Sequence, residues 1–386
     1  MSTDGKGSPP IRSLALISNS AFSLVNFRGP LIEALRSRGV TVHALAPDYD
    51  MPTRDAVAAL GAEPVDIELE RTGMNPLRDG RDFLALAGVF RRLRPDATLG
   101  YFIKPVIYGS LAARLAGVPR RYALVAGLGY AFDSGGQQSS LKRQVLHGVS
   151  ARLYRQAFRV CDRVFFQNTD DIEYFTERRI LDEGKAFRVN GTGVDLEHFA
   201  PAPPVTAPVT FLLMARLLRA KGVPEFAEAA REIKREFPDS RFLLLGEPDS
   251  NPDSLTRQEV EDWVRQGILE WPGQVRDVRA WIAQSSVYVL PSYYREGVPR
   301  STQEAMAMGR PVITTDNTGC RETVADGVNG FMVPVRDPAA LAGAMRKFIE
   351  QPDLIETMGR ESRRLAEERF DVHAINRQIL AEMGIG

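Results

Sequence analysis

Short apolar runs alternate with helical patterns along the first half of the chain. Runs of strand length occur at 13–18, 40–46, 97–102, 120–127, 162–168 and 187–193. Amphipathic segments lie between several of them, at 29–39, 81–93 and 106–117. The segment 29–39 has Pro30 near its start and Gly39 at its end, so a helix is predicted to begin near Gly29. This alternation predicts a doubly wound, mostly parallel sheet.

The alternation stops at "FAPAPPVTAPV", residues 199–209, and then begins again. A segment rich in proline and small residues is stiff and extended, which is typical of a linker between domains. New strand-like runs follow at 210–216, 241–246, 287–292 and 311–315, and helical patterns fill 338–384. The predicted fold class is α/β, with two Rossmann-like domains at 11–198 and 210–368. A C-terminal helix, 369–386, is predicted to return to the first domain.

Composition adds little beyond a soluble globular class. Forty-nine basic and 49 acidic residues give a formal net charge of +0, so no global field favours nucleic acid. The two cysteines, Cys161 and Cys320, have no metal-binding spacing, which fits a reducing cytoplasm. Residues 1–10 lack the apolar stretch of a signal peptide and are predicted to be a disordered tail.

Two glutamates flank a Gly-Val-Pro turn in "EGVPRSTQE", residues 296–304. The preceding "VYVLPS" is a predicted strand, and a helix is expected to begin at Pro299, where a missing amide proton is tolerated. Free amides of the first helical turn would then form an anion site between Glu296 and Glu304. Taken alone, two such glutamates are more often solvated charges; the surrounding strand, turn and helix favour a functional role.

The chain resembles retaining GT-B glycosyltransferases of the family-four type. The resemblance rests on "EGVPRSTQE", on "EAMAMGRPVITTDNTGCRETVADGVNGFMVP" and on "MARLLRAKG", residues 214–222. It implies that Glu296 contacts hydroxyls of the donor sugar and that Glu304 holds the ribose. It also implies that Arg216 and Lys221 grip a diphosphate as catalytic cations. The other implied donor-binding residues are Gly193, Val275, Gly297, Val298, Arg300 and Ser301.

Basic residues suit the chemistry that this resemblance implies. When a glycosyl–phosphate bond breaks, the departing nucleoside diphosphate gains negative charge, and fixed cations and helix amides stabilise that charge. Arginine offers a planar fork and lysine a mobile point charge. With Arg216, Lys221 and the helix amides available for the diphosphate, we predict turnover without a metal or other cofactor. "DYD", residues 48–50, has the D-x-D pattern that holds a divalent ion elsewhere, but a polar loop is the favoured interpretation.

The acceptor side is less sharply predicted. Expected acceptor-binding residues are Phe22, Arg28, Lys104, Gly127 and Tyr130, although core packing explains the phenylalanine equally well. No G-x-G-x-x-G spacing follows the first strand, which disfavours a dinucleotide site. Family members often carry a histidine near "LVAGLGY", and this chain has none there. The group that accepts the acceptor's proton therefore stays open, with the donor phosphate as one candidate.

A basic, amphipathic helix is predicted over 141–164. Its apolar stripe is Leu141, Val145, Val149, Leu153 and Ala157, and its basic stripe is Arg152, Arg155, Arg159 and Arg163. Such a helix can pack as an ordinary domain helix, lie on an anionic membrane or bind a lipid-linked diphosphate. Core packing on one face is compatible with phospholipid on the other. The expected location is cytoplasmic and peripheral, at the inner face of the membrane.

Within the family, "SNSAFSLVNFRGP" (18–30), "ALVAGLGYAF" (123–132) and "GEPDSNPDS" (246–254) resemble bacterial transferases that extend polyprenyl-diphosphate-linked glycans, among them the α-1,3-N-acetylgalactosaminyltransferases. The resemblance implies a UDP-sugar donor, with UDP-N-acetylhexosamine expected, and a lipid-linked diphosphate-sugar acceptor. UDP-hexose and other nucleotide sugars stay open as donors, because backbone contacts to a base leave little trace in the side chains. Two alternatives remain at this point. One is transfer to a soluble or different lipid acceptor, and the other is a catalytically silent scaffold that binds nucleotide sugars.

Overall fold

The structure is a computed structural model that describes residues 9–70, 75–128, 141–249 and 251–386, with only the backbone of 141–143. Its contacts divide the chain into two compact units. The first contains the described residues up to 126, then 141–189 and 373–386. The second contains 127–128 and the described residues of 190–372. Residues 190–198, placed before the linker in the sequence-based boundaries, group with the second unit by their contacts.

The first unit is built on a parallel sheet with strand order β3-β2-β1-β4-β5-β6-β7. The strands are β1 (Ser13–Ile17), β2 (Thr41–Ala46), β3 (Glu63–Asp66), β4 (Ala97–Tyr101), β5 (Arg120–Val125), β6 (Arg163–Phe166) and β7 (Ala186–Arg188). In-register pairs such as Leu14 with Val42 and Leu14 with Ala97 are buried, because helices cover both faces of a parallel sheet. The strands predicted at 13–18, 40–46, 97–102, 120–127 and 162–168 are therefore confirmed, whereas only Phe187 and Arg188 of the run at 187–193 lie in a strand, β7.

The second unit repeats this plan with a parallel sheet of order β10-β9-β8-β11-β12-β13. Its strands are β8 (Thr210–Met214), β9 (Arg241–Leu245), β10 (Glu270–Gly273), β11 (Val287–Leu290), β12 (Val312–Thr315) and β13 (Gly330–Val333). The order reverses between β8 and β11, so the loops after these two strands diverge at that point. Open sheets of this class bind ligands at such a reversal, outside the carboxyl ends of the strands.

Helices connect the strands in both units. They are α1 (Ala21–Arg36), α2 (Met51–Ala59), α3 (Pro76–Leu93), α4 (Ser110–Ala116), α5 (Leu141–Val160), α6 (Thr169–Glu177), α7 (Val223–Glu236), α8 (Arg257–Arg265), α9 (Arg279–Ala283), α10 (Arg300–Ala307), α11 (Pro338–Glu350), α12 (Asp353–Arg369) and α13 (Val372–Glu382). A π-helical turn, Pro105–Gly109, leads into α4. The predicted α/β class, with two Rossmann-like domains, is confirmed.

The first helix begins earlier than the sequence pattern predicts. It begins at Ala21 rather than near Gly29, and Pro30 lies inside it. The reason is a cap from another element, since the Ala21 amide donates to Asp48 Oδ1 at 2.6 Å. Such a partner, 27 residues away, is invisible to local pattern analysis. Glycine and proline near position 30 therefore do not mark a helix start.

The C-terminal helix α13 belongs to the first unit, as the sequence predicted. Its residues Ile375, Ile379 and Leu380 are buried in the same apolar cluster as Leu14 and Leu16 of β1. The Tyr122 hydroxyl on β5 donates to the Met383 carbonyl oxygen at 3.1 Å. Within the described part of the chain, no helix has both the length and the apolar character needed to cross a bilayer.

Candidate active site

Glu296 lies on the loop that connects β11 to α10, as predicted. The loop ends at Pro299, which stands immediately before the first residue of α10. Glu296 is only 9% exposed although it lies outside regular secondary structure. Its Oε1 atom accepts a hydrogen bond from Ser292 Oγ at 2.9 Å. The carboxylate is therefore fixed by its own loop.

Lys221 pairs with the same carboxylate oxygen of Glu296. It ends a short 3-10 turn, Arg219–Lys221, that follows β8. The Lys221 and Glu296 side chains are 13% and 11% exposed, and the Tyr294 ring centroid lies 5.2 Å from the lysine Nζ. The loop and the turn are joined by backbone bonds as well, because the Tyr293 and Tyr294 amides donate to the Ala220 carbonyl at 2.9 Å. Two predicted catalytic residues thus meet where the strand order of the second sheet reverses.

Two glycines, Gly127 and Gly319, pack closely against the backbone of the loop that contains Glu296. Gly127 has φ +94°, and a Cβ there would lie 2.6 Å from the Gly297 nitrogen. Gly319 has φ +77°, and a Cβ there would lie 1.7 Å from the Gly297 oxygen. Neither position tolerates a side chain without a shift of the backbone next to Glu296. Gly127, an expected acceptor-binding residue, packs against the loop that contains Glu296.

Glu304 lies one turn inside α10, with its side chain 14% exposed. Burial raises the pKa of its carboxyl, and the nearby Arg300 guanidinium opposes that increase. Arg300 Nε donates to Glu304 Oε1 at 2.8 Å. The neighbouring Ser301 Oγ lies 2.6 Å from the hydroxyl of buried Tyr288. The first turn of α10 is thus anchored by polar contacts on two sides.

Gln303 is a site residue that sequence reasoning missed. Its side chain is fully buried, and its Oε1 accepts from the Gly193 amide at 3.1 Å. Its Nε2 donates to the Val298 carbonyl at 3.1 Å. The amide therefore links the expected donor-binding residues Gly193 and Val298. The sequence did contain one signal for it: Gln303 lies at helical spacing from the apolar Met306 and Ala307, and a polar residue on an apolar helix face is expected to hydrogen-bond inside the protein.

Arg216 and Val275 lie at the same edge of the sheet, after β8 and β10. Arg216 Nη1 pairs with Asp249 Oδ2 at 2.9 Å, and its side chain is 45% exposed. Val275 packs partly buried against the apolar cluster that contains Leu290 and Val298. The described contacts therefore place Arg216 with Asp249 and not with Glu296.

The expected acceptor-binding residues of the first unit are dispersed. Phe22 is 53% exposed at the start of α1, whereas Arg28 is buried with its guanidinium 4.7 Å from the Tyr101 ring centroid. The Lys104 ammonium binds Asp79 at 2.8 Å inside the unit, so its charge is already balanced. Tyr130 lies outside the described residues.

The two carboxylates of the D-x-D pattern accept hydrogen bonds from backbone amides at the N-termini of helices. Asp48 accepts the Ala21 amide of α1, and Asp50 forms a reciprocal capping box with Thr53 at the start of α2. These bonds from Thr53 lower the pKa of the Asp50 carboxyl. Across the part of the chain that the structure describes, no three histidine, cysteine or acidic side chains converge as metal ligands.

Helix α5 buries only part of its predicted apolar stripe. Ala157 is buried and Leu153 is half-buried, whereas Val145 and Val149 are 60% and 38% exposed. The buried face contains Tyr154 and Phe158 together with Ala157. Aromatic packing explains the difference, since Tyr154 and Phe158 both contact Phe175 of α6 with ring centroids 5.2 Å apart. Arg152 and Arg159 are exposed, whereas Arg155 is half-buried and donates to the Arg178 carbonyl. Arg163 lies on β6 and not on the helix, and the Leu141 side chain lies outside the described residues.

Comparisons with known proteins identify related sequences and family models for this chain. The family model "Glycosyl transferase 4-like domain" matches residues 27–190, and "Glycosyl transferases group 1" matches residues 208–351. N,N'-diacetylbacillosaminyl-diphospho-undecaprenol alpha-1,3-N-acetylgalactosaminyltransferase of Campylobacter jejuni is 28% identical over 88% of this chain and 90% of its own. UDP-Gal:alpha-D-GlcNAc-diphosphoundecaprenol alpha-1,3-galactosyltransferase of Escherichia coli is 28% identical over 70% of each chain.

Solved structures share the fold at lower identity. Anabaena HepE, solved with UDP and glucose, superposes with a TM-score of 0.76 at 17% identity, over 97% of this chain and 99% of its own. Sucrose-phosphate synthase of Thermosynechococcus elongatus superposes with a TM-score of 0.77 at 19% identity, over 97% and 98%. With both family models matched and two parallel-sheet domains of the GT-B class, the chain belongs to the group 1, family-four-like glycosyltransferases.

Proposed function

We propose that this protein transfers a sugar from a UDP-sugar to a polyprenyl-diphosphate-linked glycan, with retention of configuration. The observation that carries the proposal is the pairing of Lys221 with Glu296 where the second sheet reverses its strand order. The printed names of the two relatives, which describe transfer to sugars on diphospho-undecaprenol, support the acceptor class. An N-acetylhexosamine is the expected donor sugar.

The donor is held by residues at the carboxyl edge of the second sheet. Lys221 and Arg216 bind the diphosphate, and the amides of Gly297, Val298, Arg300 and Ser301 face it from the start of α10. The helix dipole adds to this field because the positive end of a helix is its N-terminus. Glu304 accepts hydrogen bonds from the ribose hydroxyls, Glu296 from the donor sugar, and the backbone near Val275 and Gly193 borders the nucleotide.

The reaction exchanges two bonds at the anomeric carbon. The bond from that carbon to the diphosphate oxygen breaks, and its electron pair leaves with UDP. The acceptor hydroxyl oxygen forms the new bond from the same face, and its proton passes to an oxygen of the departing phosphate. Lys221, Arg216 and the helix amides stabilise the growing charge. Because these groups supply the compensating charge, turnover is proposed to need no divalent metal.

The lipid-linked acceptor implies peripheral contact with an anionic membrane. Val145 and Val149 of α5 are exposed and lie at helical spacing from Arg152, and Arg159 lies two turns further on. Apolar side chains that insert between headgroups, next to arginines that attract them, are typical of interfacial helices. The proposed location is the cytoplasmic face of the cell membrane.

One experiment tests the proposal as a whole. Purified protein is incubated with a panel of UDP-sugars, with a membrane extract as the acceptor source, and UDP release is measured. The expected result is release from a UDP-N-acetylhexosamine that depends on the extract and is lost in Glu296→Ala. Binding of UDP without release from any donor would identify a silent scaffold instead.

A further inference from the structure

A cavity of about 430 Å³ lies in the first unit, apart from the residues that were expected to bind the acceptor. It is bordered by segments that follow the carboxyl ends of β1, β2 and β3, including Asn19, Asp48 and Leu69. The first two turns of α3 contribute Arg78 and Asp82. Its volume lies within the range of small-molecule sites, roughly 300–1,000 Å³.

One residue of the lining, Asp82, indicates that the cavity binds a ligand. It is only 2% exposed, and its Oδ2 atom accepts the Glu70 amide at 3.2 Å. No side chain or amide in the described ranges donates a hydrogen bond to its Oδ1 atom. A buried acceptor without a partner is costly, and the large majority of such atoms are satisfied. Oδ1 therefore calls for a donor from outside the protein.

The charges around the cavity exclude an anionic ligand. Its lining includes four carboxylates and two guanidinium groups. Arg78 is paired with Glu70 and Arg81 with Glu68, so both cations are already compensated. Asp48 and Asp82 leave the lining with an excess of negative charge. A phosphate or diphosphate would meet repulsion here.

A neutral, hydroxyl-rich ligand fits the remaining chemistry. Hydroxyl groups donate to carboxylate oxygens such as Asp82 Oδ1, and an amide such as Asn19 both donates and accepts. The nearly buried Ile67 and Leu69, together with Pro47, supply apolar surface for the C–H face of a ring. A metal ion is disfavoured because no metal-ligand group of three side chains occurs in the described residues.

We propose that this cavity binds a neutral sugar ring of the acceptor glycan, with Asp82 Oδ1 accepting a hydrogen bond from a ring hydroxyl. The inference rests on the proposed function, since it names the part of the acceptor that the first unit recognises. Asn19 contacts a second hydroxyl of the same sugar. Asp82 is thus a specificity-determining residue that touches substrate and takes no part in bond breaking.

Saturation-transfer NMR on the full chain tests the site without catalysis. The probes are free N-acetylglucosamine, N-acetylgalactosamine and disaccharides of the two. In Asp82→Asn the amide oxygen keeps the Glu70 bond, so the NH₂ group faces the cavity and a donor replaces the acceptor. We expect saccharide affinity to fall about tenfold to a hundredfold, as for loss of a hydrogen bond to a charged group. The matched control, Asp66→Asn, changes an exposed carboxylate at the end of β3 that does not line the cavity.

Three results would overturn the inference: equal saccharide binding by Asp82→Asn and the unaltered chain, displacement of the saccharide by UDP, or binding of glucosamine but of no neutral sugar. Asn19→Ala provides a second variant if Asp82→Asn lowers the melting temperature, and it should weaken the same signals. In the transfer assay, Asp82→Asn should raise the acceptor KM by a similar factor and leave the donor KM unchanged. An unchanged acceptor KM alongside normal UDP release refutes this site alone, whereas absence of UDP release from every donor refutes the proposed function.

Discussion

The amide of Gly193 donates to the side chain of Gln303 at 3.1 Å, across 110 residues of sequence. Through its other end, Gln303 holds the carbonyl of Val298, which lies on the loop two residues after Glu296. One buried amide therefore ties a glycine turn to the loop that carries a proposed catalytic carboxylate.

Replacing Gln303 by leucine should loosen both attachments. The Gly193 amide and the Val298 carbonyl lose their hydrogen bonds to this side chain, so the free energy of unfolding should fall by about 1–3 kcal/mol. Donor KM should rise more than kcat falls, because the altered segments border the donor. Gln303→Glu keeps the oxygen that accepts from the Gly193 amide but loses the donor to Val298. Its stability and donor KM should therefore lie between those of the unaltered chain and of Gln303→Leu. Urea unfolding and initial rates measure both effects, with Gln258→Leu on the exposed face of α8 as the control. A change in stability with an unaltered donor KM would reduce Gln303 to a structural role.

Lys221→Ala should lower kcat by about 10²- to 10³-fold, the range for loss of one charge-stabilising donor. The neighbouring variant Arg219→Ala removes a cation from the same turn, but one that pairs with Glu259 on the surface. It should keep nearly full activity. Steady-state kinetics with the donor found in the UDP-release screen compare the two. A normal kcat in Lys221→Ala contradicts the assigned role.

Gly319→Ala should displace the loop at Glu296 and abolish most activity. The added methyl group would lie 1.7 Å from the Gly297 oxygen, which only a backbone shift relieves. Gly267→Ala is a matched control, because Gly267 has a similar φ of +71° and nothing within 4 Å of the added carbon. Both variants carry the cost of a left-handed alanine, about 1 kcal/mol. Only the clash differs, so equal activities in the two variants would refute the packing argument.

The raised pKa of Glu304 predicts a pH-dependent loss of stability. The folded state holds this proton more tightly than the unfolded state, whose carboxyl has its ordinary value near 4.5. Stability should therefore fall as pH rises from about 4.5 through the higher folded pKa. Glu304→Gln should remove this slope in urea unfolding measured across that window.

Glu259 supplies a control of opposite sign. Hydrogen bonds from the Thr256 amide and from Arg219 lower the pKa of its carboxyl to about 2. The stabilisation of the folded state by ionised Glu259 is fully present above about pH 4.5 and is lost as the pH falls towards 2. Glu259→Gln should therefore flatten only the acidic limb. The same pH profile for both variants would contradict these assignments.

Charge reversal on α5 should weaken membrane binding. Arg152→Glu with Arg159→Glu should reduce sedimentation with anionic liposomes, because each arginine near such a surface contributes about 1 kcal/mol. The matched double variant Arg235→Glu with Arg360→Glu changes net charge equally on exposed helices of the second unit. Equal liposome binding by both pairs would exclude α5 as the contact surface.

Central strands and the loop-to-helix placement of the two glutamates were predictable from local pattern. Central parallel strands are buried on both sides, so runs such as "TFLLM" are apolar throughout. The edge strands β3, β10 and β13 escaped prediction, since "EPVD", "EWPG" and "GFMV" have half-exposed positions and no long apolar run. Pattern also fails for contacts between distant segments. Neither the pairing of Lys221 with Glu296 nor the bridge through Gln303 leaves a local signal.

The exposed valines of α5 show a further limit. Periodicity identifies an apolar stripe but does not say which stripe meets the core when two are present. Here Tyr154 and Phe158 bury more surface than valines would, so the aromatic face packs inward.

The position of α13 has a consequence for how the chain reaches its native state on the ribosome. The seven strands of the first sheet are all synthesised by residue 188, yet Ile375, Ile379 and Leu380 still belong to the core that they form. Nearly half of the polypeptide, the part between Arg188 and Ile375, must still be synthesised after the last strand before that core can be completed. A nascent N-terminal half therefore presents an incompletely covered apolar surface throughout translation of the second unit, and a stop codon before residue 373 would leave it so permanently.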